Sequence, residues 1–146
     1  MKSAAERISR LARLTPRERG VLMRAWCHLL LVDTALRFLP VTRLLPRAVG
    51  PIPRSTSLTI DRISWLLDVA RRHCPVRSTC LKEALVLVRL LRAEGFDATM
   101  KIGVARRDGR LRAHAWIEHD GRIVLGGSDH ENYAALLPVD EALAAR

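Results

Sequence analysis

An α+β fold, with helices first and an antiparallel sheet after them, is what this sequence predicts, and three observations predict it. Apolar residues recur at helical spacing as far as Leu91. From Thr99 the apolar period shortens to two. Two Asp-Gly pairs, Asp108-Gly109 and Asp120-Gly121, then punctuate the alternating stretch. A helix repeats its face every 3.6 residues and a strand every second residue, so a change of period marks a change of element. Helices and strands segregated along the chain argue against alternating βα units.

The elements follow in order. Ile8, Leu11 and Leu14 stand at helical spacing within residues 3–14. Thr15-Pro16-Arg17-Glu18 then reads as a helix start, because Thr15 can cap, Pro16 suits the first turn and Glu18 can close a capping box. That Leu-rich helix should run to about Phe38 and stop before Pro40. Pro40, Pro46, Gly50, Pro51 and Pro53 make residues 40–56 a loop with room for one short turn. A second helix is expected from Thr59 to about His73, on Ile60, Ile63, Leu66, Leu67 and Ala70. The stripe of Leu81, Ala84, Leu85, Val88 and Leu91, widened by Leu87 and Leu90, predicts a helix buried on most sides, with Gly95 as its cap. Thr99–Ala105, Leu111–Glu118 and Arg122–Leu125 read as strands of a meander, joined by the Asp-Gly turns, where both central residues need positive φ. A short helix is expected after Pro138.

The chain has 146 residues, 49% of them apolar, which suits one hydrophobic core. We divide it into an N-terminal helical extension, 1–54, and a compact core, 55–146. Aromatic residues are few, so Leu, Val, Ile and Ala must fill the interior. The net charge of +10 invites nucleic acid, an anionic surface or an acidic peptide as partner. The arginines are scattered and no nucleic-acid-binding motif accompanies them, so the expectation is no nucleic acid. Three cysteines and no signal-peptide pattern predict a soluble, cytoplasmic protein in a reducing compartment. The most apolar stretch, Val21–Leu39, is broken by Arg24, His28, Asp33 and Arg37, which argues against a membrane span. Cys74 and Cys80 are spaced too widely for the usual close pair of zinc ligands, and Gly126-Gly127 lacks the Lys-Ser or Lys-Thr of a phosphate loop, so neither metal nor cofactor is expected.

One pair of residues carries chemistry. Cys80 opens the most apolar helix, and free N–H groups with partial positive charge at a helix start favour a thiolate and can hold an oxyanion. The alternative is a small core residue, as free Cys often is. His114 lies between Ala113 and Ala115 in the second strand and can shuttle the proton such a thiol must lose. The alternative is a histidine that packs locally. His28, His73, His119 and His130 have no comparable setting. A third group should orient His114. With a two-residue turn at Asp120-Gly121, His119 faces Arg122 and, counting outward, His114 faces Gly127. Residues 123, 125, 127 and 129 then share the face of His114, and Asp129 is the carboxylate selected. A slip of one residue would reverse that face, leaving Asp129 an ordinary loop carboxylate.

The run Arg77-Ser78-Thr79-Cys80-Leu81, then Ala84-Leu85, Leu90-Leu91-Arg92, Gly95, Lys101-Ile102-Gly103-Val104, and Ala113-His114-Ala115-Trp116-Ile117-Glu118 with Gly121 resembles the lasso peptide biosynthesis B2 proteins. The resemblance spans about residues 58–137. It implies a transglutaminase-like, papain-like cysteine peptidase core and a Cys-His-Asp triad, for which Cys80 and His114 match directly and Asp129 is the nearest carboxylate. It further implies removal of the leader from a ribosomally made precursor peptide. The implied partners are that precursor, a separate leader-recognition protein called B1, and the lasso cyclase. A glutamine oxyanion donor is excluded, since the chain contains none. Trp116 shares the parity of His114, as a shield for the site or as core. Three other readings stay open: a transglutaminase-like amidase or peptidase on another substrate, a non-catalytic scaffold of a peptide-maturation complex, and a basic nucleic-acid binder.

Overall fold

The computed structural model describes residues 13–45, 57–127 and 130–135. Helix α1 spans Pro16–Phe38, and its start is a complete capping box. Thr15 Oγ1 accepts from the Glu18 N–H at 3.2 Å, while Glu18 Oε2 accepts from the Thr15 N–H at 2.7 Å. These bonds occupy donors that a bare helix end leaves open. A 3-10 turn follows at Val41–Arg43. Helix α2, Ile60–His73, is capped by Thr59, and helix α3, Cys80–Ala93, by Thr79. At the far end of α3, Gly95 takes φ +92°, the Phe96 N–H bonds to the Leu91 carbonyl and the Gly95 N–H to that of Arg92. This is a Schellman cap, which glycine enters without a Cβ penalty. The helical stretch expected at 3–14, the expected C-terminal helix and Asp129 lie outside the described residues, apart from Arg13 and Leu14.

Strands β1 (Thr99–Arg107), β2 (Arg110–His119), β3 (Arg122–Leu125) and β4 (Ala134–Ala135) form one antiparallel sheet in the order β3-β2-β1-β4. Both Asp-Gly turns have positive φ at both central residues: Asp108 52° and Gly109 73°, Asp120 47° and Gly121 74°. The short edge strand β4 was not expected from the sequence; two alanines carry no readable period.

Helix α3 touches α1, α2, β1 and β2. Its run Ala84–Val88 is buried throughout, as are Leu90 and Leu91. From α1 come Val21, Ala25, Leu29 and Val32, from α2 Ile63, Leu66, Leu67 and Ala70, and from the sheet Met100, Ala115 and Ile117. Burying each large side chain contributes about 1.5–3 kcal/mol. Helix α1, in the N-terminal extension, thus shares one core with the rest. Two ion clusters tie it to α3. Glu94, buried, accepts from Arg17 at 3.0 Å and Arg24 at 2.6 Å. Asp33 accepts from Lys82 at 2.6 Å and Arg37 at 3.0 Å.

One expectation needs correction. The count outward from the second turn assumed an unbroken ladder. The ladder begins as expected, with His119 opposite Arg122 and Glu118 opposite Ile123, but Ile117 then pairs with Leu125. Val124 is the extra residue of a bulge. Leu125 therefore lies on the face of Ile117, not that of His114, because parity reverses after one inserted residue. The count that selected Asp129 loses its basis; the position of Asp129 is not described.

Candidate active site

Cys80 is the first residue of α3, half-buried and not in a disulfide. Its position follows from Thr79, whose Oγ1 accepts from the Lys82 N–H at 3.4 Å and whose carbonyl accepts from that of Glu83 at 3.0 Å. Among the described residues, the N–H groups of Cys80 and Leu81 have no hydrogen-bond partner. They are the donors that a helix start offers to an anion. The loop before α3 is fixed from several sides. Ser78 Oγ donates to Glu83 Oε1 at 2.8 Å, and Lys82 Nζ donates to the Arg77 carbonyl at 2.8 Å as well as to Asp33.

His114 lies in β2 opposite Gly103 of β1. It shares its face with Trp116 and Glu118; the alternate residues Ala115 and Ile117 point into the core. Trp116 is buried at 3% exposure, yet it does not belong to the core cluster. It is covered from its own side of the sheet. A Cβ on Gly103 would lie 2.8 Å from its six-membered ring and 2.9 Å from Tyr133 Cβ, so the missing side chain of Gly103 is the space the indole fills. Trp116 Nε1 donates to Glu118 Oε1 at 2.9 Å, and Glu118 in turn meets Lys101 at 2.6 Å. The imidazole of His114 stands 6.2 Å from the Trp116 ring, nearly parallel at 22°, and 5.2 Å from the Tyr133 ring. Its Nε2 is 2.8 Å from the carbonyl oxygen of Gly126.

Helix α3, which Cys80 opens, packs on the Ala115 and Ile117 face of β2, and His114 lies on the other face of that strand. Among the described residues no hydrogen bond joins Cys80 to His114. No three His, Cys, Asp or Glu side chains converge as metal ligands among the described residues. An apolar groove of about 500 Å³, between α1 and α2, is lined by Leu14, Leu22, Met23, Trp26, Val69 and Ala70, and includes neither Cys80 nor His114. Sequence reasoning missed Tyr133 and the Gly126 carbonyl as neighbours of His114. The Gly126-Gly127 pair was a signal of close backbone approach beside a strand.

A family model described as the transglutaminase-like superfamily matches residues 28–138. The chain belongs to the transglutaminase-like superfamily. The match takes in the second half of α1, both later helices and the whole sheet, and it contains Cys80 and His114. Among the described residues, three α-helices against a four-stranded antiparallel sheet are this chain's version of the transglutaminase-like, α+β, papain-like core. The superfamily is in general one of cysteine-dependent peptidases and acyltransferases. No curated protein and no solved structure gives a significant match. No helix among the described residues is long and apolar enough to cross a membrane.

Proposed function

We propose that the protein is a cysteine peptidase that removes the leader from a ribosomally synthesised lasso precursor peptide, with Cys80 as nucleophile and His114 as base. The observation that carries the catalytic part is the superfamily match, which contains a cysteine at a helix start and a strand histidine. Cys80 opens α3, where its N–H and that of Leu81 have no hydrogen-bond partner among the described residues, and His114 stands in β2. The motif resemblance, Ser78-Thr79-Cys80-Leu81 with Ala113-His114-Ala115-Trp116-Ile117-Glu118, supports the substrate. Precursor and leader-recognition protein B1 are the proposed partners, with the lasso cyclase as the next enzyme and the cytoplasm as compartment.

In this reading the Cys80 thiol gives its proton to His114 and Sγ attacks the scissile carbonyl. The oxyanion is held by the N–H groups of Cys80 and Leu81. His114 returns the proton to the departing amine as the C–N bond breaks. Water, deprotonated by the same imidazole, then cleaves the thioester and restores the thiol. Asp129 is the carboxylate that the resemblance offers as third member.

The test is a mass-spectrometric cleavage assay with the precursor encoded beside the gene and its small leader-binding neighbour. One cut at the leader–core junction is expected, with a loss on the order of 10³-fold or more in Cys80→Ala and in His114→Ala. A smaller loss in Asp129→Ala would give that residue its place. Absence of a cut, with the partner shown to bind, would turn the reading towards another substrate or a non-catalytic scaffold.

A further inference from the structure

Deepening that reading, and resting on it, we propose that the main-chain carbonyl of Gly126 is the group that positions His114, fixing its tautomer as a triad carboxylate would. Nε2 and the Gly126 oxygen are 2.8 Å apart. A carbonyl oxygen can only accept, so Nε2 carries the proton. The neutral ring then has its lone pair on Nδ1, the nitrogen that must take the thiol proton. One backbone hydrogen bond selects the tautomer that works as a base.

The local chain is shaped for this contact. The bulge at Val124 ends the regular ladder, and Gly126 follows at φ +78°. A Cβ at Gly126 would stand 2.8 Å from the Ala115 carbonyl, 3.0 Å from Trp116 Cβ and 3.2 Å from His114 Nε2. Glycine therefore serves twice: it takes the positive φ, and it lets the chain lie against β2 closely enough for its oxygen to reach the ring. Neighbouring Trp116 and Tyr133 rings restrict where the imidazole can turn.

The chemistry balances without moving a proton onto this carbonyl. Nε2–H stays bonded to Gly126 in both the neutral and the protonated ring. Only Nδ1 gains the proton from Cys80 and returns it to the amine. The carbonyl dipole faces the imidazolium with its negative end, yet brings no counter-charge.

The experiment is long-range proton–nitrogen correlation NMR of the full chain labelled with ¹⁵N-histidine, at a pH where His114 is neutral and with His114→Ala for assignment. The Nε2–H pattern is expected in the unsubstituted protein and is expected to persist in Asp129→Ala. A shift towards a mixture of tautomers is expected in Gly126→Ala. An Nδ1–H pattern in the unsubstituted protein would overturn the assignment, as would loss of the Nε2–H pattern in a folded Asp129→Ala. If Gly126→Ala does not fold, those two spectra decide alone. An Nδ1–H pattern in a protein whose cleavage still requires His114 would overturn the role of Gly126 and leave the peptidase reading standing. Unimpaired cleavage by His114→Ala would overturn both.

Discussion

At Gly103 the absence of one Cβ decides how the face of His114 is built. The indole of Trp116 lies across it, and Tyr133 closes over the same point, with both within 3 Å of where a Cβ would stand. Backbone cannot yield there, so Gly103→Ala must push the two rings aside. A destabilisation of about 1–3 kcal/mol is expected, as for other overpacked sites. Both rings also border His114, so Trp emission should shift and cleavage should weaken in the same variant. Emission and urea midpoint equal to those of the parent protein would show that the close contact does not matter. The sequence marked Trp116 by parity with His114, but nothing local to residue 103 said which ring would fill its space.

Between elements, the buried Glu94 joins two arginines of α1 to the end of α3. Helix α1 buries Val21, Ala25, Leu29 and Val32 along one side, while Met23, Leu31 and Phe38 remain exposed on the rest of its surface. Its apolar residues therefore do not alone define which way it faces, and the ion pairs help to fix its rotation. Glu94→Gln keeps the volume and removes the charge. The arginine side chains are 42% exposed, so solvent screens part of the attraction. A loss of about 1–3 kcal/mol is expected, read as a lower urea midpoint with unchanged slope. A change under about 0.5 kcal/mol would mean that packing alone seats α1.

For the whole molecule, the buried and paired charges set a direction for stability against pH. The Thr15 N–H and then Arg62 hold Glu18 below its ordinary range, and Lys82 and then Arg37 do the same for Asp33. Burial, followed by repulsion from Arg89 and Arg24, pushes His28 down, and its Nδ1 is buried without a partner among the described residues. In all three cases the unfolded chain binds the proton first on acidification, so stability falls with pH. The His28 contribution should begin to fade below about pH 6.5, and the carboxylate contributions below about pH 4. Urea midpoints measured from pH 7 to pH 3 should decline in those two stages, and His28→Leu should remove the first. A flat profile between pH 7 and pH 5 would exclude His28 as a source.

The sequence by itself determined helices α1 to α3 and strands β1 to β3, with their ends. Thr15 with Glu18, Thr79, Gly95 and the two Asp-Gly turns act through bonds to residues only a few positions away, so their chemistry is legible wherever they stand. The buried width of the Cys80 helix was legible for the same reason, since apolar periodicity is local. Only the tertiary structure decided what stands beside His114. The bulge at Val124, the reversal at Gly126 and the arrival of Tyr133 from beyond β3 depend on how distant segments pack, and one inserted residue is enough to defeat a count along a strand. The strand histidine could be read from the chain, but the carbonyl that orients it could not, because every residue has one and packing alone selects which of them reaches the ring.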